Sequence, residues 1–135
     1  MSGTARYQRA SQVSRYGDVI TSRGVDAVTG LAVYIYDFPG TPRVKPGQLD
    51  SEAIPTVLAA GYDGTNGLLV TAFPPGGTKL LDSGATLDDD LVLQTLAALR
   101  DAARVGLVHG DIRPERFLLA HGRVYVEGYG VPWNP

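Results

Sequence analysis

The stretch LAVYIYDF, residues 31–38, is dense in β-branched and aromatic residues, and such residues suit a pleated strand. In an extended chain Ala32, Tyr34 and Tyr36 share one face, and Val33 and Ile35 share the other. Upstream, the β-rich segment from Val13 is broken by DAVTG (26–30), which ends in a turn-forming Thr-Gly, so the pattern reads strand, strand, turn, strand. Downstream, PGTPRVKPG (39–47) carries three prolines that fix φ and remove donors, which makes it a loop; at most a short helical turn follows in QLDSEA (48–53). Two further strands, TVLAAGYD (56–63) and GLLVTAF (67–73), flank the hairpin signal GTNG, and PPGGTK ends the sheet. Five antiparallel strands are therefore expected before residue 80.

One helix is expected, over 87–105. Thr86 is placed to cap it, Asp88, Asp89 and Asp90 complement the positive end of its dipole, and Gly106 stops it. Val92, Leu96, Leu99 and Ala103 follow helical spacing and are assigned to the core, and Leu91, Leu93, Ala98 and Ala102 extend the apolar surface around the axis. Beyond it, FLLA and RVYVEGYG, separated by His-Gly, read as a last hairpin.

Composition narrows the function classes. The chain has 135 residues, 44% of them apolar, which suits one domain of α+β class; 17 glycines and 9 prolines favour turns and short strands over a helical bundle. A formal charge of −2 gives no broad positive field, so nucleic acid is not expected as a partner, and Arg6, Arg9, Arg15 and Arg23 read as a solvated basic cluster. Cysteine is absent, which removes disulfides, thiolate metal ligands and a thiol nucleophile. The N-terminus is polar, and no run approaches the roughly 18 apolar residues of a membrane span, so a cytoplasmic protein is expected.

The stretch GLVHGDIRPERFLL (106–119) carries the chemistry. HGDIRPERFLL resembles the catalytic loop H-R-D-L-x-x-x-N of the protein kinases, with His109, Asp111 and Ile112 in register; VTGLAVYIY resembles the family's Thr-Gly turn and V-A-I-K strand, and VYVEGYGV its strand and D-F-G motif. The resemblance spans residues 12–131. It implies an N-lobe-like sheet over 1–80, with the helix that follows the third strand short or missing, and a partial C-lobe over 81–135 made of one core helix and a catalytic-loop-like hairpin.

The same resemblance implies that the catalytic positions are degenerate. Tyr36 occupies the place of the phosphate-anchoring Lys, Arg116 that of the metal-binding Asn, and Gly128 that of the metal-binding Asp. Glu127 lies one residue early, and the segment over the phosphates keeps only Gly17. Asp111 remains as the vestigial candidate base, with Arg113 in place of the following Lys and His109 as a structural residue. Arg113, Glu115 and Arg116 read as a solvated turn with local ion pairs, and the strand tyrosines 34, 36, 62, 125 and 129 as packing residues. His121 and His109, with no carboxylate pair beside them, make no metal site.

The expected function is that of a truncated pseudokinase, a non-catalytic regulatory or interaction module without a cofactor or metal. The alternative is residual nucleotide binding or weak kinase activity with Asp111 as base. The apolar surface of helix 87–105 is expected to meet a protein partner or a second copy, a symmetric dimer being the commonest arrangement.

Overall fold

A computed structural model describes residues 6–86 and 88–133. Its architecture is α+β. Strands β1 (Tyr7–Tyr16), β2 (Val19–Asp26), β3 (Ala32–Pro39), β4 (Val57–Tyr62) and β5 (Asn66–Ala72) form one antiparallel sheet in the order β1-β2-β3-β5-β4. A second antiparallel sheet, of order β6-β7-β8, joins Thr78–Lys79, Phe117–Ala120 and Arg123–Val126. Helices α1 (Leu80–Ser83) and α2 (Asp89–Ala103) lie between β6 and β7 in the chain.

The expected alternation of β3 is observed, and it explains why that strand is apolar on both faces. Tyr34 and Tyr36 enter the large core shared with the second sheet and α2, while Val33 and Ile35 pack with Tyr7 and Val70 in a smaller cluster. The first strand begins earlier than the β-rich stretch suggested, because the polar residues from Tyr7 onward pair along β2, with register shifts after Arg9 and Gln12. The arginines of this region are tied locally: Arg6 forks onto Asp26 and Arg9 onto Asp37, and the Arg23 guanidinium lies over the Phe73 ring. The GTNG hairpin forms, and its turn is held by Asp63, whose carboxylate accepts the Thr65 and Asn66 amides.

Between β3 and β4 the chain runs as loop and turns, and QLDSEA forms no helix. This segment is nonetheless structural. Val44 is buried against Gly130, the Ser51 hydroxyl donates to Asp101 on α2, and the Ala53 carbonyl accepts the Val126 amide. PPGGTK does not simply end a sheet either, since Thr78 and Lys79 open the second one against β7.

The helix differs from expectation in two ways. Leu87, its expected first residue, lies outside the described residues, and Thr86 is not the cap: Asp88 is extended and accepts the Leu91 amide at 2.9 Å, so α2 begins at Asp89. The assigned core stripe is also rotated. Leu91, Ala98 and Ala102 are buried, whereas Val92, Leu93, Leu96 and Ala103 are exposed and Leu99 is half-buried. The reason is the dock on the second sheet, where the Gln94 side chain accepts the Val124 amide at 2.8 Å and thereby fixes the helix's rotation about its axis. At the other end Gly106 takes a φ of 76° and reverses the chain after the helix, as expected. The last hairpin pairs Phe117–Ala120 with Arg123–Val126, and His121 and Gly122 both take positive φ in its two-residue turn.

Candidate functional site

The loop after α2 is shaped by His109. Its Nδ1 accepts the Asp111 amide at 3.0 Å, so Nε2 carries the proton and donates to the Glu127 carbonyl at 2.6 Å. Both ring nitrogens are thus spent on backbone, and burial pushes the imidazole pKa down, against the pull of the Glu127 carbonyl. The ring lies near-parallel to the Trp133 indole, centroids 6.1 Å apart, and edge-on to Tyr129 at 4.7 Å. These contacts tie the loop after α2 to the segment that follows β8.

Asp111, held by that loop, has both carboxylate oxygens engaged. Oδ1 accepts Arg113 Nε and Nη2, at 3.1 and 2.7 Å, and Oδ2 accepts Arg116 Nε at 2.8 Å. The single-turn 3₁₀ segment Pro114–Arg116 turns Arg116 inward, so only 3% of it is exposed. Its guanidinium lies 3.8 Å from the centre of the Trp133 ring, and Nη1 lies 3.8 Å from a Glu127 carboxylate oxygen. Of the loop triad read as a solvated turn, Arg113 and Glu115 fit that description, with Arg113 over the Tyr16 ring and Glu115 exposed; Arg116 does not.

Glu127 completes the chain of contacts. It is 2% exposed and accepts the Tyr36 hydroxyl from the facing sheet. Strand alternation, which would aim it away from the Asp111 side, does not reach it: β8 ends at Val126, and the backbone leaves the strand through Gly128 at a φ of 91°. Burial pushes the Glu127 carboxyl up to about 7, opposed by the Tyr36 hydroxyl and by Arg116. Burial also pushes the Tyr36 phenol well above its usual value, with the Glu127 charge adding to the effect. Residues 36, 127, 116 and 111 therefore form, in that order, one internal chain of phenol, carboxyl, guanidinium and carboxylate.

The neighbouring space is filled by rings. Tyr34 meets Tyr36 edge-on at 6.1 Å and tilts against Phe73 at 5.1 Å, while Trp133 meets both Tyr36 and Tyr16 at 6.2 Å and donates its indole N–H to the Gly128 carbonyl. A Cβ at Gly128 would come within 2.6 Å of the Trp133 ring, so glycine there is required by packing as well as by φ. Tyr129 is buried, Tyr125 is half-buried, and Tyr62 is exposed with its hydroxyl donating to the Gly64 carbonyl. His121 sits in the turn between β7 and β8, with its ring beside Gly76. Trp133 and Tyr16 were not singled out by motif; the one available signal is that Trp133 is the sole tryptophan and follows the glycine-flanked GYG.

Asp111 is thus paired with two arginines, Arg113 and Arg116. Beside the network a cleft of about 310 Å3 opens between the β1–β2 turn and Trp133, and Asp18 is its only charged lining residue, which opposes a phosphate. Among the described residues no group of three or more His, Cys, Asp or Glu could hold a metal ion, and no helix is long and apolar enough to cross a membrane. No protein-family model matches the chain, and no curated protein matches it.

Proposed function

We propose that this chain is a non-catalytic, protein kinase-like interaction module, a pseudokinase in which the nucleotide and metal positions have become a structural ion network. The resemblance of HGDIRPERFLL and VYIY to kinase motifs supplies the positions. The observation that carries the proposal is that Tyr36, Asp111, Arg116 and Glu127 satisfy one another, Tyr36 and Glu127 across 91 positions of sequence. Asp111 serves as the anchor for Arg113 and Arg116 rather than as a base. A general base must reach a substrate proton, and both its oxygens are occupied.

The test is thermal unfolding with ATP, ADP or GTP at millimolar concentration, with and without Mg²⁺ or Mn²⁺. A ligand of the folded state raises the melting temperature by linkage. No shift is expected from any combination. A reproducible, metal-dependent rise that Asp111→Asn abolishes would overturn the proposal in favour of residual nucleotide binding.

A further inference from the structure

The outward face of α2 is arranged in three zones along the axis. Asp89 lies at its start, Val92, Leu93 and Leu96 in the middle, and Arg100 and Arg104 at its end. Helical spacing puts all six on one side, opposite the buried Leu91, Ala98 and Ala102. The middle zone is unusually bare: Val92 is 43% exposed, Leu93 64% and Leu96 54%. Among the described residues, Asp89, Arg100 and Arg104 have no close ion-pair partner. Arg100 and Arg104 approach Asp101 only at 3.6 and 3.7 Å from exposed positions, while Asp88 is engaged as the cap and Asp90 accepts the Gln94 amide.

From this charge order we infer that the face binds a second copy of the chain, the two α2 helices running antiparallel about a two-fold axis at Leu96. The inference rests on the reading of the chain as an interaction module and names its partner. In that register Leu96 meets its own symmetry mate, and Val92 and Leu93 face Leu99 and the aliphatic stem of Arg100 of the second copy. Asp89 of each helix comes between Arg100 and Arg104 of the other, so acid meets base at both ends at once. A parallel pairing would set acid on acid and base on base, and the sequence of charges opposes it. One helix face buries less than the about 1,600 Å² of a standard interface, so a dimer of micromolar dissociation constant is expected.

Sedimentation equilibrium over a concentration series tests this, with far-UV circular dichroism to show that each variant is folded. Wild type is expected to shift from monomer to dimer, and Leu96→Glu and Leu93→Glu, both at exposed positions, to weaken the dimer at least about tenfold. Asp89→Arg and Arg104→Glu should each weaken it, and the double variant should recover part of the loss, since positions 89 and 104 again carry opposite charges while Arg100 is unchanged. A charge that served only the helix dipole would make the double variant no better than either single one. A wild type monomeric at about 1 mM, or a double reversal that fails to recover, overturns the inference. Nucleotide titration of the folded Leu96→Glu monomer separates the two proposals: a thermal shift there counts against the non-catalytic reading and leaves the interface untouched.

Discussion

At the scale of single residues, Glu127 is where structure and solution behaviour connect most directly. Its carboxyl is pushed up to about 7 by burial, from an ordinary value of 4.5. Between those values the folded state keeps a proton that the unfolded chain has released, so this group's contribution to stability is greatest below about 4.5 and falls as pH rises through about 7. The full swing is roughly 3 kcal/mol. Asp26, held at about 2 by Arg6, acts in the opposite sense but only as pH falls below its ordinary value of 3.8. His109 also acts in the opposite sense, because its depressed folded pKa costs stability as pH falls below 6.5, inside the same window. The difference between wild type and Glu127→Gln isolates the carboxyl. Urea titrations at pH 4.5 and 7.5 should show Glu127→Gln gaining relative to wild type at the higher pH; an identical pH slope in the two proteins would contradict the buried-carboxyl description.

At the scale of elements, α2 shows how one hydrogen bond sets a boundary and another sets an orientation. Asp88, not Thr86, receives the Leu91 amide, so Asp88→Ala is expected to cost about 1 kcal/mol and Thr86→Ala to stay within about 0.5 kcal/mol of wild type. Chemical unfolding of both variants decides it, and equal costs would refute the assignment. Which stripe of the helix is buried was not legible in its own sequence. Apolar residues nearly encircle the axis, and periodicity alone cannot choose among faces when several qualify. The β3 alternation had no such ambiguity, because the strand offers two faces and both are apolar.

At the scale of the whole molecule, the two sheets meet around Trp133. Its ring touches Tyr16 on β1, Tyr36 on β3, His109 on the loop after α2 and the Arg116 guanidinium, and it is 2% exposed. Trp133→Ala would leave a cavity at that junction and uncover the ion network to water. The expected loss is about 3 to 5 kcal/mol in one cooperative transition. Far-UV circular dichroism during urea unfolding reads it, and a loss below about 1 kcal/mol would show that the junction is held by other contacts.

Sequence alone determined the strands of the first sheet from residue 13 onward, the last hairpin and the approximate span of α2. These are local properties, set by side-chain periodicity, turn residues and spacing within a few positions. Only the tertiary structure decided which side chains meet across the two sheets. Tyr36 and Glu127 are 91 positions apart, and nothing in either segment states that a phenol on β3 will donate to a carboxyl just past the end of β8. Likewise Arg116 looks solvated within its charged loop until the 3₁₀ turn carries it beneath Trp133. Burial and long-range pairing turn those residues into a network, and both arise from packing two sheets together, which no local pattern encodes.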